Sequence, residues 1–292
     1  VATPEQWWQG ARPRTLPAAV APVLAGSGIA AFEGAFDPVL ALLCLLVSLA
    51  LQVGVNYAND YSDGVRGTDA DRVGPMRLVG SGAAEAPRVK AAAFGCFAVA
   101  GLAGLGIVLL TQLWWLLAVG AAAIAAAWLY TGGSRPYGYL GLGEVFVFVF
   151  FGLVAVSGTV LVQVGSVPAA AWAAAVAVGA LACAILVANN LRDLRGDAAV
   201  GKRTLATRLG DRGTRWFFTI LVLVALGSIV LVAAWSTPWA LLGLLMVVFV
   251  VGPVREVLGG GSARSLIGVL KLVGVAELVA AAGLAVGLVI GA

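Results

Sequence analysis

The chain contains no histidine. That absence removes the commonest general base and the commonest transition-metal ligand. Any bound metal must then be held by oxygen, which points to magnesium or a similar hard ion. Cysteine is scarce as well. Cys44, Cys96 and Cys183 each lie inside an apolar run, without C-x-x-C spacing, so they read as small packing residues rather than disulfide or zinc partners. Charge is the third deficit. Only 11% of the 292 residues are charged and 61% are hydrophobic, about half the charged fraction of an ordinary soluble domain. A mean hydropathy of +1.02 marks a polytopic membrane protein. The N-terminal stretch VATPEQWWQGARPRTLP lacks the short apolar core and small-residue cleavage site of a signal peptide. Trp7 and Trp8 suit a membrane interface. Lipid is an expected partner and nucleic acid is not.

What is present is a series of apolar runs. About 20 helical residues cross the bilayer core. Hydropathy predicts nine spans, at 15–33, 38–59, 88–110, 113–130, 142–163, 168–191, 215–235, 238–254 and 266–290. Pro38, Pro168 and Pro238 stand at first helical positions, where a missing N–H costs little. All 18 lysines and arginines fall on one side of this arrangement or at its helix ends. The positive-inside rule then puts the N-terminus in the cytoplasm and the C-terminus outside. The expected architecture is an all-α bundle of nine transmembrane helices, forming a single domain over 1–292. Its two long inner loops, about 60–87 and 192–214, form a cytoplasmic cap.

Those two loops start alike. NYANDYSD closes the second span and NNLRDLRGD closes the sixth. Both contain N-x-x-x-D, as Asn56 with Asp60 and Asn189 with Asp193, followed by Asp63 and Asp197. A four-span offset suggests a pseudo-repeat relating helices 1–4 to helices 5–8. On a helix, residues three and four apart share a face. Each triad is therefore one acidic patch, whose charges repel unless a cation lies between them. Two such patches make a cage of hard oxygens suited to magnesium bound partly through substrate phosphates. Arg66, Arg72 and Arg77 follow the first patch; Arg192, Arg195, Lys202 and Arg203 surround the second. Basic side chains beside acids suit a diphosphate. One mixed-charge loop alone reads as a solvated surface; two with the same start read as a paired site. GDAAVGKRT resembles a phosphate-binding loop, but Arg203 stands where Ser or Thr is needed and a membrane helix precedes it. Glu277 is expected to face the bundle or stay neutral, and Gly283 with Gly287 to allow close helix packing.

Together these residues resemble the UbiA-type intramembrane aromatic prenyltransferases, which carry two aspartate-rich motifs, after the second and sixth helices. NYANDYSDGVRGTD and NNLRDLRGDAAVGKRTLATRLG look like those motifs. RPRTLPAAVAPV at 12–23, GPMRLVGSG at 74–82 and YTGGSRPYGYLGLGEVFVFVFFG at 130–152 are most similar to the 1,4-dihydroxy-2-naphthoate polyprenyltransferase branch of menaquinone synthesis. Ser134 departs from the proline expected there. The resemblance implies a polyprenyl diphosphate held by magnesium between Asp60, Asp63, Asp193 and Asp197. It implies transfer of the prenyl group to the aromatic acid 1,4-dihydroxy-2-naphthoate with loss of carbon dioxide, giving demethylmenaquinone at the cytoplasmic face of the cell membrane. Asn56, Asn189, Arg66, Arg72, Arg77, Lys202 and Arg203 are the expected substrate contacts. Arg14 is expected at the diphosphate or the substrate carboxylate. Tyr57, Tyr61 and Tyr137 are candidates to stabilise an allylic cation through their ring faces. Two alternatives stay open: a relative with another acceptor, and a cation transporter.

Overall fold

The computed structural model describes residues 2–67, 76–134 and 136–292. Arg72, with Asp69, Asp71 and Arg135, lies outside the described residues. The regular structure of the described residues is helical, with ten principal helices: α1 (Pro4–Gly10), α2 (Pro17–Phe32), α3 (Pro38–Arg66), α4 (Ala86–Thr111), α5 (Leu116–Leu129), α6 (Gly143–Val164), α7 (Ala169–Ala199), α8 (Leu205–Trp235), α9 (Pro238–Leu258) and α10 (Ala263–Ile290). Among them, seven are long and apolar enough to cross a membrane. The fold is an all-α, multi-pass membrane bundle.

Two of the nine expected spans take another form. The first is α2, of 16 residues, which continues from α1 across a 50° bend. The break falls between Thr15 and Pro17; just ahead of it, Arg12 has a left-handed backbone (φ 54°), uncommon for a residue with a β-carbon. The fourth is α5, of 14 residues. It starts late because Gln112 ends α4 in the left-handed region (φ 59°) and exposed Trp114 and Trp115 occupy the turn.

Local chemistry sets the ends of the helices that matter most. The Asp37 side chain accepts from the amides of Val39 and Leu40 at 2.8 and 3.0 Å, capping α3 ahead of Pro38. Gly67 closes α3 with φ 69°, a conformation that favours glycine. α7 is the central helix, with Ala171, Ala174, Ala175 and Ala184 fully buried. Small side chains let neighbouring backbones come close where lipid supplies no hydrophobic drive. At Gly152 of α6 an added β-carbon would lie 2.7 Å from the Gly179 Cα. Around that crossing, Phe148–Val154 winds as a π-helix, a form that marks functional sites more often than chance. Gly283 and Gly287 of α10 pack on backbone: a β-carbon there would collide with the carbonyls of Leu242 and Trp239. Glu277 is fully buried in the same helix, and Cys44, Cys96 and Cys183 are unbridged.

Candidate active site

α3 and α7 both run past the apolar bundle and end in polar tips. Between the tips opens a cavity of about 1630 Å³. Its polar end is walled by Asn59, Asp63, Arg77, Asn189, Asp193 and Asp197, and its long apolar end by residues such as Val47, Gly104, Ile124, Phe150 and Val162. A charged mouth therefore leads into a greasy channel.

Helical rotation sorts the first tip. Asn56, Asn59 and Asp63 line the cavity. The Asn56 amide donates to the Ala11 carbonyl and the Thr15 hydroxyl, both at 2.9 Å, tying α3 to the α1–α2 bend. Asn59 accepts from the Thr131 hydroxyl at 2.7 Å. Asp63 accepts from Arg77 at 3.2 Å and from the Tyr139 hydroxyl at 2.6 Å. Asp60 points elsewhere. It is 1% exposed and its two oxygens accept the amides of Leu78 and Val79 at 2.7 and 2.9 Å. It does not line the cavity. The expected face of Asn56, Asp60 and Asp63 is thus Asn56, Asn59 and Asp63.

The second tip is held by cations. Arg192 reaches Asp193 through two nitrogens, at 2.7 and 2.6 Å, and Asn189 at 2.8 Å. Lys202 lies 3.7 Å from Asp197. Tyr139 joins the tips. Its hydroxyl bonds Asp63, and the Lys202 ammonium sits over its ring, 4.5 Å from the centroid, within cation–π range. Burial, then the adjacent Asp63 carboxylate, pushes the Tyr139 phenol above its ordinary value, so it stays a neutral donor. Tyr139 and Lys202 thus link Asp63 of the first patch to Asp197 of the second.

Two other expected contacts, Arg66 and Arg203, do not line the cavity. Arg66 donates to the carbonyls of Thr131 and Gly133 and stacks on Tyr139 at 5.4 Å, fastening α3 to the 131–141 segment. The Arg203 amide donates to the Tyr139 carbonyl at 3.1 Å, docking the α7–α8 loop there. Arg14 lines the cavity, as does Lys271. Tyr137 lines it too, with its hydroxyl on the Ala126 carbonyl (2.8 Å) and its ring 3.9 Å from Phe146. Tyr57 and Tyr61 do not: Tyr57 bonds the Trp7 carbonyl and Tyr61 stacks on Trp128. Asn59 and Tyr139 were passed over in the sequence. Asn59 had a signal, because Asn59-x-x-x-Asp63 repeats the spacing of Asn189-x-x-x-Asp193. Tyr139 had only its place in a glycine- and tyrosine-rich loop.

Among the described residues, no three acidic or cysteine side chains stand together as a ready metal cage. The donor chemistry still suits magnesium, which is commonly bound by one or two carboxylates plus substrate phosphates.

The UbiA prenyltransferase family matches residues 19–265. The chain belongs to that family. It is 54% identical over 289 residues to a 1,4-dihydroxy-2-naphthoate octaprenyltransferase of Mycobacterium tuberculosis, covering 98% of this chain and 97% of that one. The enzyme of the same description from Escherichia coli K12 is 39% identical over 238 residues, 80% of this chain and 76% of that one. Two solved UbiA homologues share the fold. The apo protein from Aeropyrum pernix K1 superposes with a TM-score of 0.70 at 18% identity, covering 91% of this chain and 97% of that one. The Archaeoglobus fulgidus protein, bound to DMAPP and Mg2+, gives 0.69 at 14% identity, covering 98% and 99%. This family member is therefore a UbiA-type prenyltransferase.

Proposed function

We propose that the chain transfers a polyprenyl group from polyprenyl diphosphate to 1,4-dihydroxy-2-naphthoate, with decarboxylation, giving demethylmenaquinone in its reduced, quinol form in a magnesium-dependent reaction. The observation that carries this reading is a single cavity with two asparagine–aspartate tips at its mouth and an apolar channel behind them. The high identity to relatives described as 1,4-dihydroxy-2-naphthoate octaprenyltransferases supports the choice of acceptor.

The polar mouth takes the diphosphate and the channel takes the tail. Asp63, Asp193 and Asp197, with Asn59 and Asn189 beside them, are the oxygens that would hold magnesium. Bound there, the ion supplies positive charge to the departing diphosphate. Arg77, Arg192 and Lys202 are already paired to those carboxylates and stand ready to turn to phosphate oxygens. The allylic C–O bond breaks and the diphosphate leaves with the electron pair. Apolar walls keep water from the allylic cation, and Tyr137, stacked on Phe146, offers it a ring face. A ring carbon of the acceptor then bonds to the cation, and the carboxylate leaves as carbon dioxide, its bonding pair staying on the ring to restore the aromatic quinol. Arg14, with Lys271 on the cavity wall, suits the acceptor carboxylate. The same reading places one domain over 1–292 with a pseudo-repeat of helices 1–4 and 5–8. It counts α2 and α5 as spans, nine in all, with the N-terminus and the mouth on the cytoplasmic side, because every lysine and arginine lies there.

The test uses the purified chain with radiolabelled polyprenyl diphosphate and a panel of aromatic acids. Labelled product and carbon dioxide are expected with 1,4-dihydroxy-2-naphthoate, with activity lost to EDTA and restored by magnesium. Transfer to a different acceptor, or none to any, overturns the proposal.

A further inference from the structure

The Asp60 carboxylate is buried and faces away from the cavity. What it holds is the 76–84 part of the segment between α3 and α4. Leu78 and Val79 present two consecutive amides to its two oxygens, at 2.7 and 2.9 Å. Hydrogen bonds to an ionised acceptor are about twice as strong as neutral ones, and two of them fix a segment in register. Packing completes the seat. The Leu78 side chain is fully buried beside Gly10 and Tyr57; a β-carbon at Gly10 would lie 2.6 Å from Leu78 Cδ1 and 3.2 Å from Tyr57 Cε1. Val79 lies over Gly64, where a β-carbon would come within 2.5 Å of Val79 Cβ. The segment closes on itself through Ser81 and Gly82 amides on the carbonyls of Arg77 and Val79, and the Ala84 amide on Leu78.

The residue immediately before this seat is Arg77. It is 8% exposed, lines the cavity and reaches Asp63 at 3.2 Å. A clamp on residues 78 and 79 therefore sets where the Arg77 guanidinium stands. We infer that Asp60 is a positioning residue: its carboxylate anchors Leu78 and Val79 so that Arg77 is presented to the diphosphate beside Asp63, and it does not ligate the metal. This rests on the functional reading above and separates two aspartates that stand three residues apart in one motif.

The experiment compares wild type, Asp60→Asn, Asp63→Asn, Arg77→Met, Gly64→Ala and the Asp60→Asn/Arg77→Met pair. Asparagine at 60 can accept one amide but turns its NH2 toward the other. The KM for polyprenyl diphosphate is expected to rise about 10-fold in Asp60→Asn, the scale of one charge-assisted bond. The magnesium concentration for half-maximal activity should stay at the wild-type value, and amide hydrogen exchange at 78 and 79 should quicken. Arg77→Met should raise KM alike, and the double variant should be no worse than the worse single one, because both act through one contact. Gly64→Ala leaves every carboxylate in place and displaces Val79, so it should copy the KM effect; it carries the test if Asp60→Asn does not fold. A raised magnesium requirement in Asp60→Asn matching Asp63→Asn, or losses that multiply in the pair, overturns the inference. A wild-type chain inactive with magnesium and polyprenyl diphosphate overturns the functional reading instead, while the exchange data still decide whether Asp60 holds the segment.

Discussion

The two tips share an N-x-x-x-D spacing yet are held in different ways. At the α3 tip the Asp63 side chain is 6% exposed and accepts from the Tyr139 phenol and the Arg77 guanidinium. At the α7 tip Asp193 and Asp197 are 18% and 15% exposed, and each is met by a cation from its own segment. The first tip is built into its surroundings through the 76–84 segment and Tyr139. The second carries its own counter-charges. A common spacing thus sets which residues can converge, and the neighbours set how firmly each is held. For the proposed phosphorylated ligand, one wall of the mouth is already fixed by tertiary contacts. The other wall has Arg192 and Lys202, whose ion pairs can be exchanged for phosphate oxygens.

The hardest way to break this contrast is to remove charge from each tip. Asp63→Asn and Asp193→Asn should each lower kcat by about 10²–10³-fold or more, the range seen when a group stabilising transition-state charge is lost. Steady-state assays at saturating magnesium measure this. Near-wild-type turnover in either would remove that tip from the site. Only Asp63→Asn should also disturb the first wall, seen as faster amide exchange in the 76–84 segment.

Tyr139→Phe is the next in size. It deletes the hydroxyl on Asp63 and keeps the ring beneath Lys202. One bond to a charged acceptor is worth about 1.5–3 kcal/mol, so kcat/KM should fall at least about 10-fold. Burial and Asp63 raise the phenol's pKa, so the proton is held to higher pH than in a free tyrosine. Tyrosine ionisation should therefore add no alkaline limb below about pH 10, and the two pH profiles should be parallel. A wild-type limb near pH 9 that vanishes in the variant would contradict a neutral donor.

The smallest effect is expected from Tyr137→Phe. It loses a bond to the Ala126 carbonyl and keeps the ring against Phe146. One neutral hydrogen bond contributes about 1 kcal/mol, so melting should shift by a few degrees, with kcat within about threefold. A large fall in kcat would mean that the hydroxyl acts in the chemistry.

Much was legible because the membrane restricts the options. Long apolar runs must become helices when no water can satisfy the backbone. Proline and glycine at helix ends mark where they start and stop. The two acidic segments stood out because charge is so rare in this chain. Other features were not legible for geometric reasons. Around the first tip, Asn56–Asp60 and Asn59–Asp63 are both valid N-x-x-x-D pairs, three residues out of phase. A three-residue shift turns a helix by only about 60° short of a full turn, so periodicity leaves both pairs as candidates for the inner face. The shortness of α5 was hidden by apolar residues that run on through its turn. Tyr139 lies 76 residues from Asp63, and no local pattern links them.

By itself, the amino-acid sequence determined that the chain is a membrane helix bundle, that its cations gather at one set of helix ends, and that two asparagine–aspartate segments close two of its helices. These follow from composition and local spacing, which act residue by residue. Only the tertiary structure decided that Asp63 faces the cavity and Asp60 the 76–84 segment, and that Tyr139 spans the gap between the tips. Those outcomes depend on which neighbour offers a buried carboxylate its hydrogen bonds, and the neighbours come from distant parts of the chain.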